Sequence, residues 1–170
     1  MRLARLLYLL GLALAIVAPL RLWVAEPIYI ASASMEPTLP VGLHALLDRL
    51  TLRLRAVRRG DIIVLRPPVG EAQDSVKRVI ALPGETVELR AKKVFLDGRE
   101  LDEPYVEHTR PGERLEGDDL GPITVPPASL FVLGDNRDES RDSSVWRDDE
   151  GRRVFFVAGK DVRGLVRGFF

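Results

Sequence analysis

Two residues, Ser34 and Lys77, are candidates for covalent chemistry, although neither announces itself alone. Ser34 stands in Ile30-Ala31-Ser32-Ala33-Ser34-Met35-Glu36-Pro37-Thr38-Leu39. Pro37 removes a backbone donor and fixes the local turn, so a β-prone run stops there. A hydroxyl just past a strand end can project into a cleft, and it becomes a nucleophile once a base takes its proton. Taken alone, Ser34 reads as a turn serine. Lys77 stands in Ser75-Val76-Lys77-Arg78-Val79-Ile80-Ala81-Leu82-Pro83-Gly84. Strand alternation puts Lys77 with Val79 and Ala81, and Arg78 with Val76, Ile80 and Leu82. Each face therefore sets a cation among apolar side chains, where desolvation disfavours the charged form. Taken alone, Lys77 reads as an edge-strand lysine.

Other chemistries are poorly represented. The chain has 170 residues, two histidines and no cysteine. Disulfides, thiolate metal sites and a cysteine nucleophile are excluded. No His-Glu-x-x-His, no Gly-x-Ser-x-Gly and no phosphate-cradling glycine loop occurs. Neither a metal nor a cofactor is expected. A Ser-His-Asp triad is possible on paper, but His44 falls in a strand-like stretch and reads as structural, and His108 has no special local setting. Of the 25 basic residues, only Arg2, Arg5 and Arg21 lie in the first 25 positions, while all 25 acids lie beyond them. The remainder is slightly acidic, which speaks against nucleic acid as a partner.

The elements that must position these residues are mostly short strands. Pro27 to Ile30, Leu43 to Leu47, Asp61 to Arg66, Val76 to Leu82 and Thr86 to Arg90 are β-prone and separated by turn residues. Val94 to Leu96 and Arg99 to Leu101 flank Asp97-Gly98, a two-residue hairpin signal. Ile123 to Val125, Leu130 to Leu133, Val154 to Val157 and Val162 to Val166 complete the set, the last interrupted by Gly164. The fold class expected is mainly β with antiparallel sheets. Residues 110–121 read as a surface loop. The charge-dense second half of 137–153 reads as solvated, and so do the arginines of 49–59, with contact to lipid phosphates as the minority reading.

Leu6 to Leu20 is an uncharged, nearly all-apolar run of 15 residues. It is short against the roughly 20 residues needed to span a bilayer. It reaches that length only by extension to Ala25, with Arg21 snorkelling and Trp23 at the interface. The competing reading is a cleavable leader of similar length. Either way the preceding arginines put the N-terminus on the cytoplasmic side. The expected division is an anchor over 1–25 and an extracytoplasmic catalytic β-domain over 26–170.

Several motifs in order change the weight of Ser34 and Lys77. Ser-Met-x-Pro-Thr at 34–38, Lys-Arg-Val-x-x-x-Pro-Gly at 77–84 and Gly-Asp-Asn-Arg-Asp-x-Ser-x-Asp-Ser at 134–143 resemble the three best marked motifs of the bacterial type I signal peptidases. Arg59-Gly60-Asp61-Ile62, and Asp97-Gly98 with Glu103-Pro104-Tyr105, are similar to further family stretches. The resemblance runs from about residue 27 to residue 167.

That resemblance implies a membrane-bound serine endopeptidase that removes signal peptides from secreted preproteins after small residues at −1 and −3. Ser34 is then the nucleophile and Lys77 the general base. The Ser34 N–H and the Ser32 hydroxyl form the oxyanion site, and Ser140 orients the lysine. Arg78 and Asp135 form a structural ion pair, with Asp142 a structural acid. Ile28, Ile30, Met35, Leu39 and Val76 wall the substrate pocket. Preproteins and membrane lipid are the implied partners, and a monomer is expected. Physics agrees with the pairing, since a solvated lysine with a pKa near ~10.4 cannot act as a base at neutral pH and burial can lower it. The departure is Ser144, where the family often has arginine; Arg141 or Arg147 is expected to substitute as partner to Asp142. The alternatives are an inactive membrane-tethered binding domain and a self-cleaving Ser-Lys repressor. The latter needs a DNA-binding segment in place of the apolar run.

Overall fold

The computed structural model describes residues 2–23, 25–70 and 73–169. Helix α1 (Arg2–Trp23) leads into β1 (Ala25–Tyr29). A 3₁₀ turn follows at Ala33–Met35, then β2 (His44–Asp48), α2 (Thr51–Leu54), β3 (Ile62–Leu65) and β4 (Ser75–Ala81). Next come β5 (Thr86–Arg90), β6 (Lys93–Leu96), β7 (Arg99–Glu100), β8 (Leu120–Thr124) and β9 (Ser129–Leu133). The chain closes with β10 (Val157–Ala158) and β11 (Val162–Phe169). The strands form a seven-stranded sheet, ordered β1-β2-β11-β3-β4-β9-β10, and a four-stranded sheet, ordered β7-β6-β5-β8. Every strand pair is antiparallel. The mainly β expectation holds.

Alternation explains the layers. In β3, Ile63 and Leu65 join a cluster with Val79, Val132, Trp146 and Leu165, while Ile62 and Val64 join another with Ile30, Met35, Leu39 and Leu47. These clusters line opposite faces of the large sheet. A third joins the sheets, with Ile80, Phe131 and Leu133 against Val87, Leu89 and Val94. The hairpin at Asp97-Gly98 forms as its sequence demands, with positive φ at both residues.

One expectation needs correction. β4 is an interior strand, not an edge, and it is buried from Lys77 to Ala81. Its alternation breaks at a register shift between Val79 and Ala81, so Ala81 sits with Ile80 rather than with Val79. The strand expected over Val162 to Val166 forms within β11, and Gly164 marks an irregularity in it. This glycine lies at a register shift where an added Cβ would meet the Asp48 backbone oxygen at 2.7 Å, so only glycine lets β11 approach β2 there. The second half of 137–153 is solvated apart from Trp146, as expected, while in the first half Asp138, Ser140, Asp142, Ser143 and Ser144 are buried. The carboxylates are tolerated because they accept hydrogen bonds from backbone and side-chain donors.

Among the described residues, no helix is long and apolar enough to cross a membrane. The uncharged run of 15 residues in α1 covers about 22 Å at 1.5 Å per residue, against a hydrocarbon core of about 30 Å. Extension through Arg21 to the helix end at Trp23 reaches about 27 Å. Helix α1 nevertheless leaves Leu6, Leu7, Leu9, Leu10 and Leu12 exposed.

Candidate active site

Three segments converge on Ser34. The 3₁₀ turn holds it between Ala33 and Met35, with Met35 buried in the core as an anchor. Strand β4 supplies Lys77, whose Nζ lies 3.0 Å from Ser34 Oγ and 2.9 Å from the Val76 carbonyl oxygen. Ser34 and Lys77 are 6% and 2% exposed. The loop after β9 closes the arrangement from the other side, with Asn136 N donating to Ser34 O at 3.2 Å. Gly134 makes this approach possible: a Cβ there would lie 2.4 Å from Ser34 O and 2.3 Å from Ser140 Oγ. Ser32 Oγ stands 3.2 Å from Ser34 Oγ.

A nearly dry hydroxyl–amine pair has one obvious chemistry. Burial takes hydration away from a lysine side chain. A neutral amine can donate to Val76 O while accepting the Ser34 proton. That is the arrangement of a base and its nucleophile.

Beside the pair lies an ionic brace. The Arg78 guanidinium forks onto Asp135, with Nε 2.8 Å from Oδ1 and Nη2 2.6 Å from Oδ2. Thr38 Oγ1 donates to Asp135 Oδ2 at 2.5 Å, and Arg78 Nη1 donates to Gly60 O at 3.1 Å. The guanidinium also stacks 3.9 Å from the Tyr105 ring centroid. Burial alone would lower the Arg78 pKa, but Asp135 outweighs it and holds the group more firmly protonated. The Tyr105 hydroxyl and Arg137 Nη2 both donate to Glu103 Oε1, at 2.8 and 2.6 Å. Burial, reinforced by Glu103, pushes the Tyr105 phenol well above its ordinary range. Arg137 Nε returns to Gly134 O at 3.1 Å, so this network grips the loop that touches Ser34.

Asp142 needs no arginine. Its Oδ2 accepts Gly134 N–H at 2.9 Å, and its Oδ1 accepts the Ser144 N–H and hydroxyl at 3.0 and 2.7 Å. Ser144 itself therefore replaces the arginine. Arg147 bonds Glu116 and Gly151 O instead, and Arg141 lies at the surface.

A cavity of about 220 Å³ opens beside Ser34, lined in part by Ile30, Met35 and Val76. Tyr29, Ala31 and Ser75 are lining residues that sequence reasoning missed. Ile28 and Leu39 lie behind the wall in the same apolar cluster, and Leu39 is fully buried. Ser140 is buried near Gly134, but its hydroxyl makes no hydrogen bond among the described residues. The bond to lysine implied for it is therefore absent in this state. The buried Asn136 amide is likewise unpartnered. Gly134 and Asn136 were also missed as site residues, and the only signal for them was the motif they share with Asp135.

One further cluster was invisible in the sequence. Asp138 Oδ1 accepts from Lys92 Nζ at 2.6 Å and lies 3.4 Å from His108 Nδ1, while Oδ2 accepts Arg110 N–H at 2.6 Å. Burial would raise the Asp138 pKa, but Lys92 and the Arg110 amide outweigh it and hold the carboxyl below its ordinary range.

The sequence matches the family model described as signal peptidase, peptidase S26, over residues 3–170. It is 41% identical over 147 residues to a probable signal peptidase I-1 from Synechocystis sp., covering 81% of this chain and 71% of the relative. It is 38% identical over 144 residues to a signal peptidase I from Leptolyngbya laminosa, covering 81% and 68%. A crystal structure of a signal peptidase I from Enterococcus faecalis is 34% identical, with a TM-score of 0.49, covering 66% of this chain and 98% of that one.

Proposed function

This chain belongs to the peptidase S26 family of signal peptidases, and from that premise we propose that it cleaves preproteins with Ser34 as nucleophile and Lys77 as general base. The reaction class is that of the family, hydrolysis of a signal peptide from a preprotein by a serine protease. The observation that carries the residue assignment is the 3.0 Å contact between Lys77 Nζ and Ser34 Oγ at a buried position.

Neutral Lys77 takes the Ser34 proton as Oγ attacks the scissile carbonyl. The resulting ammonium then protonates the leaving amine, and the acyl-enzyme forms. The same lysine next activates a water that releases the acyl group and regenerates Ser34. The Ser34 N–H and the Ser32 hydroxyl serve the developing oxyanion. Ser140 orients Lys77 during the cycle; its buried, unpartnered hydroxyl beside Gly134 supports this. The side chains before the cut are assigned to the cavity beside Ser34, whose wall includes Ile30, Met35 and Val76.

Helix α1 seats the enzyme in the cell membrane as a single pass, with its N-terminus cytoplasmic and residues 26–170 outside. The exposed leucines of α1 and the arginines before the apolar run support this.

Incubation with a preprotein in lipid, followed by intact-mass measurement of the products, tests the reading. One cut after a small residue, with another small residue two positions before it, is expected. Uncut preprotein, or a cut after a large side chain, would contradict it.

A further inference from the structure

The cavity beside Ser34 carries a charge that the dyad does not use. Among the described residues that line it, only Asp74 is charged. Asp74 immediately precedes β4 and stands three residues before Lys77. At ~3.3 Å per residue, that separation is about 10 Å along the strand. An extended substrate beside this segment spans the same length in three residues. With the residues before the cut in this cavity and −1 level with Lys77, −4 is level with Asp74.

Asp74 also lines a second cavity, of about 580 Å³, with Arg49, Arg66, Val162 and Arg163. The strand register accounts for this double position. Val162 pairs with Leu65 and Leu65 with Ser75, so the start of β4 shares a row with the irregular stretch of β11 that holds Arg163. A residue at such an irregularity has its side chain re-aimed. Arg163 Nε lies 3.7 Å from Asp74 Oδ1, beyond hydrogen-bond length, and the two side chains are 39% and 46% exposed. A pair this open holds its carboxylate weakly. The three arginines belong to the far cavity and are absent from the wall of the near one. Asp74 is thus the charge met by whatever occupies the near cavity.

We propose that Asp74 selects preproteins by charge at −4, favouring lysine or arginine there and disfavouring an acid. A cation at −4 takes the place of Arg163 beside the carboxylate, and an acid at −4 is repelled by it. Small residues at −1 and −3 decide whether a site can be cut, and Asp74 ranks the sites that pass. This selection presupposes the catalytic reading of Ser34 and Lys77.

One preprotein is prepared with Lys, Gln or Glu at −4, and again with the same three residues at −2. Each form is cleaved by the full-length enzyme in zwitterionic lipid, and kcat/KM is measured. The readout is the Lys-to-Glu ratio, which cancels any change in Lys77 protonation or in the amount of active enzyme. The wild type should favour Lys at −4 by on the order of fivefold, less in high salt, with a smaller ratio at −2. Asp74→Asn should bring the −4 ratio to unity, Asp74→Lys should invert it, and Arg163→Gln should raise it. A −4 ratio unmoved by Asp74→Asn, or a preference confined to −2, would overturn the selection and leave the dyad standing. Failure to cut even the Gln forms would overturn the catalytic reading and the selection with it.

Discussion

Two neighbouring cations on β4 receive opposite treatment. Lys77 is directed at a hydroxyl and a carbonyl oxygen, while Arg78 is forked onto a buried carboxylate. The region around Lys77 makes charge costly, and the region around Arg78 makes charge permanent. Catalysis needs the first, because a base must be able to give up its proton. Rigidity needs the second, because a buried ion pair with satisfied hydrogen bonds tolerates little displacement. The adjacency lets one rigid strand serve both.

The same substitution at the two positions separates them. Arg78→Met strands the Asp135 charge, and a loss of about 3–5 kcal/mol is expected in urea unfolding. Lys77→Met removes a buried amine and keeps the packing, so stability is unchanged or slightly higher while cleavage stops. Equal destabilisation by both would erase the distinction. Gly134→Ala comes next, because its Cβ would lie 2.4 Å from Ser34 O. A displaced nucleophile costs on the order of 100-fold in kcat, and an unchanged kcat would mean that the loop does not locate Ser34.

Smaller effects sharpen the boundary between the regions. Ser140→Ala loses no hydrogen bond of the resting structure, so the melting temperature should hold. If the hydroxyl orients Lys77 during turnover, kcat falls about 10-fold, in the range of one neutral hydrogen bond of about 1–1.5 kcal/mol; no fall would make Ser140 a packing residue. Asp138 belongs to the ionic side. Its folded pKa is depressed, so its contribution is complete above the ordinary aspartate range and is lost as pH falls through the folded value. Asp138→Asn should be less stable at neutral pH and flatter in stability between about pH 5 and 2. A wild-type acid limb in that variant would remove Asp138 from the account.

The strands were legible because short apolar runs and turn residues mark them, and Asp97-Gly98 gave its hairpin directly. The closeness of Ser34 and Lys77 was legible only through company: each sits in an ordinary local context, and three motifs together single them out. What failed did so for physical reasons. Charge density gave no sign that the first half of 137–153 is buried: Asp138 and Asp142 are covered because backbone N–H groups and short side chains reach them. His108 beside Asp138, and α2 held between Asp48 and Asp61, depend on contacts that composition does not reveal. Ser144 shows the same limit, since a hydroxyl and its own amide replace a cation that the motif led one to seek.

The central claim is that Ser34 and Lys77 act as one unit and that the lysine works uncharged. The most direct measurement is cleavage of a preprotein in proteoliposomes across pH about 6–9 by the wild type, Ser34→Ala and Lys77→Ala. The account predicts wild-type kcat/KM rising with pH as Lys77 loses its proton. It also predicts losses on the order of 10⁴-fold or more in each variant with the fold intact. Processing that survives either substitution, or a wild-type profile flat through that range, would contradict it.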